Sequence, residues 1–129
     1  MVKLVVAEVG SDSAAELWGS NHPAVASVLA YPEGRAALAA ARRGGRLAAR
    51  PYARALAEFE EVLGGLVLVG ADEELAREAG ALAEKFGLRG YDAVHLATAL
   101  GLGDDETVMV TWDADLAGAA EAVGLAVIS

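Results

Sequence analysis

Short apolar runs alternate with helix-forming stretches along most of this chain, and that alternation admits few architectures. Leu66-Val67-Leu68-Val69 is the clearest run; Ala24 to Leu29, Thr107 to Thr111 and Leu125 to Ile128 read the same way. Each is apolar at successive rather than alternate positions, which predicts strands buried on both faces. The stretches between them carry helix start and stop signals. Pro32 with Glu33 opens a helix that runs to Arg43 and ends at Gly44-Gly45. Further helices are predicted from about Pro51 to Leu63, from Asp72 to Phe86 with Gly87 as the stop, from Asp92 to about Leu100, and from Ala114 to Val123. The Ser13-Ala14-Ala15-Glu16 spacing fits a capping box, so another helix is expected to begin near Ser11 to Ser13 and to include Trp18. Strands separated by helices predict an α/β fold, a three-layer sandwich with a mostly parallel central sheet flanked by helices.

Residues 1–129 are enough for one domain with a proper core. A composition of 55% hydrophobic and 22% charged residues excludes a disordered chain. The longest apolar runs fall far short of the roughly 20 residues that cross a bilayer, and Met1-Val2-Lys3 is not followed by a leader pattern. A soluble, cytoplasmic protein without a membrane partner is therefore expected. The absence of cysteine removes disulfides and thiolate metal sites, and it fits a reducing compartment.

The net charge of −9 disfavours nucleic acid as a partner of the whole surface, yet the charge is unevenly placed. Arg35, Arg42, Arg43, Arg46, Arg50 and Arg54 fall in one segment that holds no acid, while the rest of the chain has four bases against nineteen acids. Arginine suits forked contact with phosphates or carboxylates. The segment reads either as the solvated face of a helix pair or as a surface for nucleic acid or a partner protein.

Asp92 opens the apolar segment that runs to Thr98, and Asp113 closes the strand-like run from Val108 to Trp112. In a parallel α/β sheet such changes of element converge on the crevice beyond the carboxyl ends of the strands, where ligands bind. Two carboxylates brought within about 4 Å repel by about 4 kcal/mol at an effective dielectric of 20, so a converging cluster asks for a cation. Hard oxygen donors without cysteine favour Mg²⁺ or Mn²⁺, the metals of phosphoryl transfer and phosphodiester hydrolysis. Plainer roles exist for each residue. Asp113 or Asp115 can cap the helix that begins at Ala114, Asp92 can cap before Ala93, and Glu33 can answer a helix dipole. His95, three residues after Asp92, is placed either to orient that carboxylate or to pack in the core. Thr111 is positioned to set a hydroxyl beside a metal, while Tyr91, Trp112 and Trp18 read as core or rim.

The pieces also follow one another in a familiar order. Val2-Lys3-Leu4-Val5-Val6-Ala7-Glu8, Gly10-Ser11-Asp12, Glu33 ahead of Arg35-Ala36-Ala37-Leu38, Leu88 through Ala97, and Val110-Thr111-Trp112-Asp113-Ala114-Asp115-Leu116 resemble the PIN-domain family, specifically VapC-type toxins. The most specific part is Tyr91-Asp92-Ala93-Val94-His95-Leu96-Ala97 followed by Val110-Thr111-Trp112-Asp113. The resemblance implies a PilT N-terminus fold and an Mg²⁺- or Mn²⁺-dependent endoribonuclease that leaves a 3′ hydroxyl and a 5′ phosphate. It also implies inhibition by a small antitoxin and assembly as a homodimer. Glu33, Asp92 and Asp113 match three acidic metal-site positions, and Asp115 matches a fourth of variable use. Thr111 and His95 would support them, and the Arg35 to Arg54 segment would receive RNA or antitoxin.

Family members begin with a strand ending in Asp, followed by a helix that Val2-Lys3-Leu4 resembles. In that register the chain is N-terminally incomplete, lacking the first strand and its Asp. The competing register makes Val2 to Glu8 the strand, with Glu8 near its end in place of the aspartate. Two other functions remain open from sequence: a non-catalytic module that binds an antitoxin, and a receiver-like signalling domain with an acid pocket. The second expects a lysine at a late strand end, whereas the only lysines are Lys3 and Lys85.

Overall fold

Val5, Val25 and Met109 lie side by side in the middle of a parallel sheet, Val5 paired with Val25 on one flank and with Met109 on the other. The computed structural model describes residues 4–7 and 24–128. Within them the elements run β1 (Leu4–Val6), β2 (Ala24–Ser27), α1 (Ala30–Arg43), α2 (Ala49–Gly65), β3 (Val67–Val69), α3 (Glu73–Phe86), α4 (Gly90–Gly101), β4 (Val108–Val110), α5 (Ala114–Ala122) and β5 (Ala126–Ile128). The strand pairings among these elements are parallel, and the order across the sheet is β3-β2-β1-β4-β5. The chain steps from β1 to β2 to β3 in one direction, then returns to β4 and steps the other way. The reversal opens a crevice between β1 and β4, the switch point where ligands bind in such sheets.

The central position of β1 fits the competing register, in which the run from Val2 is a strand. Residues 4–6 form a strand rather than the expected helix, hydrogen-bonded on both sides, and Ala7 N–H continues the ladder to the Val110 carbonyl at 3.0 Å. Its valines explain the choice. β-branched side chains fit a pleated surface, and an open gap between β2 and β4 would leave two rows of backbone donors and acceptors unmet. Glu8, expected to end this strand, lies outside the described residues, as does the helix predicted from Ser11 through Trp18.

Strand parity separates two cores. Val5 and Met109 point into a cluster with Ala79, Leu88, Ala93, Leu96, Ala97, Leu116 and Ala119, which α3, α4 and α5 cover. Ala26, next in β2 after Val25, belongs to a second cluster with Ala30, Phe59, Leu63 and Leu66, which the hairpin of α1 and α2 covers. Helices on both faces of a parallel sheet give the expected three layers. The outer strands depart from expectation. Their apolar runs predict burial on both faces, yet Val67 is 61% exposed and Ile128 39%, because among the described residues β3 and β5 each pair on one side only and lie at the edges of the layers.

Local signals place the helix ends. Asp72 caps α3 by accepting the Leu75 N–H at 2.8 Å, and Gly87 ends that helix with φ 67°, a left-handed turn that favours glycine. Gly34 has a different reason. A β-carbon there would overlap the ring of buried Phe59, so its missing side chain is what lets α1 lie against α2.

Candidate active site

At the carboxyl ends of β1 and β4 the switch point opens into a cleft of about 620 Å³. Ala7 follows β1 into its wall, Glu33 and Ala37 come from α1, Arg89, Tyr91, Asp92 and His95 from the start of α4, and Trp112 and Asp113 from the turn between β4 and α5. Three of the acids expected from sequence thus share one cavity, although Glu33 and Asp113 are far apart along the chain. Each is partly shielded, with side-chain exposures of 31% for Glu33, 20% for Asp92 and 26% for Asp113.

Asp113 does two things at once. Its Oδ1 accepts the Leu116 N–H at 2.9 Å and caps α5, the plain role anticipated for it, while its Oδ2 faces Arg89 at 3.4 Å. Its own N–H donates to Thr111 Oγ1 at 3.1 Å. Thr111 is fully buried and does not line the cleft, so its hydroxyl fixes the turn that carries Asp113. That hydroxyl, expected from sequence beside a metal, lies behind Asp113 and holds its backbone. A side chain at the end of β4 alternates faces with its neighbours, and that of Thr111 turns inward.

Asp92 sits in the first turn of α4 rather than at its cap. The N-cap position belongs to Arg89, which makes no side-chain cap bond, and Asp92 Oδ2 instead accepts from Arg89 Nε at 3.1 Å. His95 does not orient Asp92 either. Its Nε2 lies 2.9 Å from Glu33 Oε2 on the opposite wall, and the ring is 1% exposed. Beyond its first turn α4 is buried nearly all round, so the imidazole projects inward toward α1 and away from its helical neighbour. Its Nδ1 is buried with no partner among the described residues, which leaves Glu33 as the ring's polar anchor there.

Asp115 is exposed and does not line the cleft. Two residues of helix rotate it about 200° from Asp113, toward the far side of α5. It remains within electrostatic reach of Arg89, whose proton is held more firmly than usual, first by the hydrogen bond to Asp92 and then by the charges of Asp92, Asp113 and Asp115.

The expected tight convergence of three carboxylates is not what the structure shows. Among the described residues no group of three His, Asp or Glu side chains is close enough to grip one ion. The acids are met from within the protein, two by the Arg89 guanidinium and one by His95. The donor set nonetheless suits a hard divalent ion. Three carboxylates face one cleft, and a cation already bridges two of them.

The arginine segment lies elsewhere. Arg42 and Arg43 end α1, Arg46 is in the turn, and Arg50 and Arg54 are on α2; these five line no part of the cleft, and Arg43, Arg46, Arg50 and Arg54 are exposed. Arg35 is engaged locally, donating to Glu60 at 2.9 Å and to Tyr31 at 2.8 Å, and the bonds to Tyr31 and Glu60 raise its pKa.

The PIN domain profile matches residues 1–122. This chain belongs to the PIN-domain family. Among PIN-domain relatives, ribonuclease VapC45 and ribonuclease VapC49 of Mycobacterium tuberculosis are each 43% identical over 123 residues, covering 95% of this chain and 85% of the relative. Ribonuclease VapC46 of the same organism is 38% identical over 129 residues, covering all of this chain and 91% of its own length. The chain is thus a homologue of VapC proteins. The crystal structure of PAE2754 from Pyrobaculum aerophilum superposes with a TM-score of 0.73 at 25% identity, over 98% of this chain and 89% of that one. A toxin–antitoxin complex from Klebsiella pneumoniae shares the fold at a TM-score of 0.64 and 18% identity, over 98% and 96% of the two chains.

Sequence reasoning misses the part played by one cleft residue, Arg89. Arg89 reads there only as a neighbour of the motif, although its three-residue spacing to Asp92 is that of a helical ion pair. Tyr91, which reads as core or rim, is 61% exposed at the rim.

Proposed function

We propose that this PIN-domain protein is a metal-dependent endoribonuclease, the toxin of a toxin–antitoxin pair, with Glu33, Asp92 and Asp113 as its working acids. The single observation that carries the reading is the meeting of these residues, from three separate elements, on the walls of one cleft at the sheet's switch point. Homology at 43% identity to proteins named ribonuclease VapC supplies the substrate class.

Glu33, Asp92 and Asp113 would hold Mg²⁺ or Mn²⁺. When bound, such an ion polarises the phosphate and lowers the pKa of water. The chain's own contribution is placement. Thr111 and the α5 cap fix Asp113, His95 anchors Glu33 from below, and the first turn of α4 presents Asp92. The Tyr91 ring at the rim offers a flat apolar surface for a base, and the exposed arginines from Arg43 to Arg54 offer charge to the phosphates of a longer RNA.

The antitoxin is expected as a partner because several proteins of this fold are known from toxin–antitoxin complexes, among them VapBC-1 from nontypeable Haemophilus influenzae. A second reading has an observation in its favour. Ala7, with only a methyl group, is the residue that β1 sends into the cleft wall, so no described residue of that strand brings an acid there, which fits a module that binds an antitoxin without cutting RNA.

Incubation of purified protein with tRNA and rRNA in Mg²⁺ or Mn²⁺ separates the two. Cleavage that disappears in Asp92→Asn and Asp113→Asn supports the nuclease. Intact RNA across these substrates, with antitoxin affinity retained, favours the binding module.

A further inference from the structure

Among the described residues lining the cleft, Arg89 alone has a permanent positive charge, and its position is unusual for a structural ion pair. The guanidinium spans two carboxylates from different elements, Asp92 at 3.1 Å through Nε and Asp113 at 3.4 Å through a terminal nitrogen. The side chain is 80% exposed, while its partners are 20% and 26% exposed. An exposed pair of this kind contributes little to stability, and Arg89 at the N-cap of α4 makes no side-chain cap bond that would pin it. The guanidinium is therefore well enough placed to neutralise the acids and loosely enough held to leave them.

We propose that Arg89 is a displaceable counter-ion that becomes a phosphate-binding residue: it bridges Asp92 and Asp113 in the metal-free protein and turns onto an RNA phosphate when a divalent ion takes the two carboxylates. The phosphate half of this proposal rests on the nuclease reading; the counter-ion half does not. A divalent ion at the same oxygens brings twice the charge at shorter range, so it outcompetes a solvated guanidinium. The same electrostatics keep Arg89 at the cleft after displacement. Its five N–H donors form a planar fork, the geometry that phosphate oxygens accept in pairs, and its long stem reaches outward without disturbing α4. The mouth of the cleft thus exchanges one ion pair for another as the site is filled, and the carboxylates are never left without a neighbouring cation.

The test compares full-length wild type, Arg89→Gln and Arg89→Lys by calorimetric titration with Mn²⁺, and by fluorescence anisotropy with a short single-stranded RNA in Ca²⁺, with circular dichroism to verify the fold. Arg89→Gln is expected to bind Mn²⁺ several-fold more tightly than wild type, since the competing cation is gone, and to bind RNA several-fold more weakly. Arg89→Lys, with the charge but not the span, is expected between the two for Mn²⁺. Mn²⁺ affinity in Arg89→Gln equal to or below that of wild type, or no Mn²⁺ binding by any of the three, overturns the counter-ion role. Unchanged RNA affinity overturns the phosphate role. Failure of wild type to cleave any RNA would remove the nuclease reading alone, because the Mn²⁺ comparison still decides what Arg89 does to the acids.

Discussion

His95 and Glu33, 62 residues apart, meet at 2.9 Å across the floor of the cleft, and the histidine is the more deeply buried partner. A partly shielded glutamate side chain still has several rotamers open to it, and the hydrogen bond selects one. Loss of such a supporting partner typically lowers metal affinity or activity roughly 10- to 100-fold. His95→Leu is expected to fall in that range in both Mn²⁺ affinity and kcat, while His95→Gln, which can still donate to Glu33, recovers much of it. Equal losses in the two variants, or an unchanged Mn²⁺ affinity in His95→Leu, would mean that the ring only fills space.

Asp113 combines a cap with a cleft carboxylate, and two substitutions separate these roles. Asparagine caps about as well as aspartate, whereas alanine at such a position costs about 0.5–2 kcal/mol. Asp113→Asn is expected to unfold in urea close to wild type yet to lose RNA cleavage. Asp113→Ala should lose both stability and activity. Asp72→Ala, which removes the equivalent cap from α3 outside the cleft, should lose stability alone.

Gly34 follows Glu33 and faces Phe59, so packing there and the cleft are mechanically linked. Gly34→Ala puts a methyl group against a buried ring that has little room to yield. Overpacking of this kind costs about 1–3 kcal/mol. Denaturant unfolding should show that loss against the small gain alanine gives in an open helix interior. A more stable variant would show that α1 and α2 can separate freely.

The exposed arginines make a salt-dependent prediction. Replacing Arg43, Arg46, Arg50 and Arg54 with glutamine should weaken RNA binding alike across sequences. The slope of log affinity against log salt should also flatten, by about 0.7 for every single-strand phosphate that the protein then fails to neutralise. An unchanged slope, together with weaker antitoxin binding, would assign this helical face to the protein partner.

The sequence by itself determined the elements and their layering. Runs of β-branched and aliphatic residues, proline and acid at helix starts and glycine at helix ends act within a few residues, so β2 to β5 and α1 to α5 fall within a few residues of their expected bounds. The order of the motifs is enough to suggest the family. Local pattern is ambiguous at residues 4–6, where a valine-rich run suits a strand or a buried helix, and only the gap between β2 and β4 decides for the strand. The site shows the same division. Glu33, Asp92 and Asp113 are legible as candidates because each sits at a change of element. Their partners are not, since hydrogen-bond reach depends on which walls the fold sets facing each other. His95 reaches Glu33 because the start of α4 and the first turn of α1, which cover opposite faces of the sheet, both border the cleft at its carboxyl end, and Arg89 spans Asp92 and Asp113 because β4 delivers its turn beside the start of α4. Spacing along a helix cannot foresee the bonds from His95 to Glu33 or from Arg89 to Asp113, for both join elements that meet only after the sheet has formed.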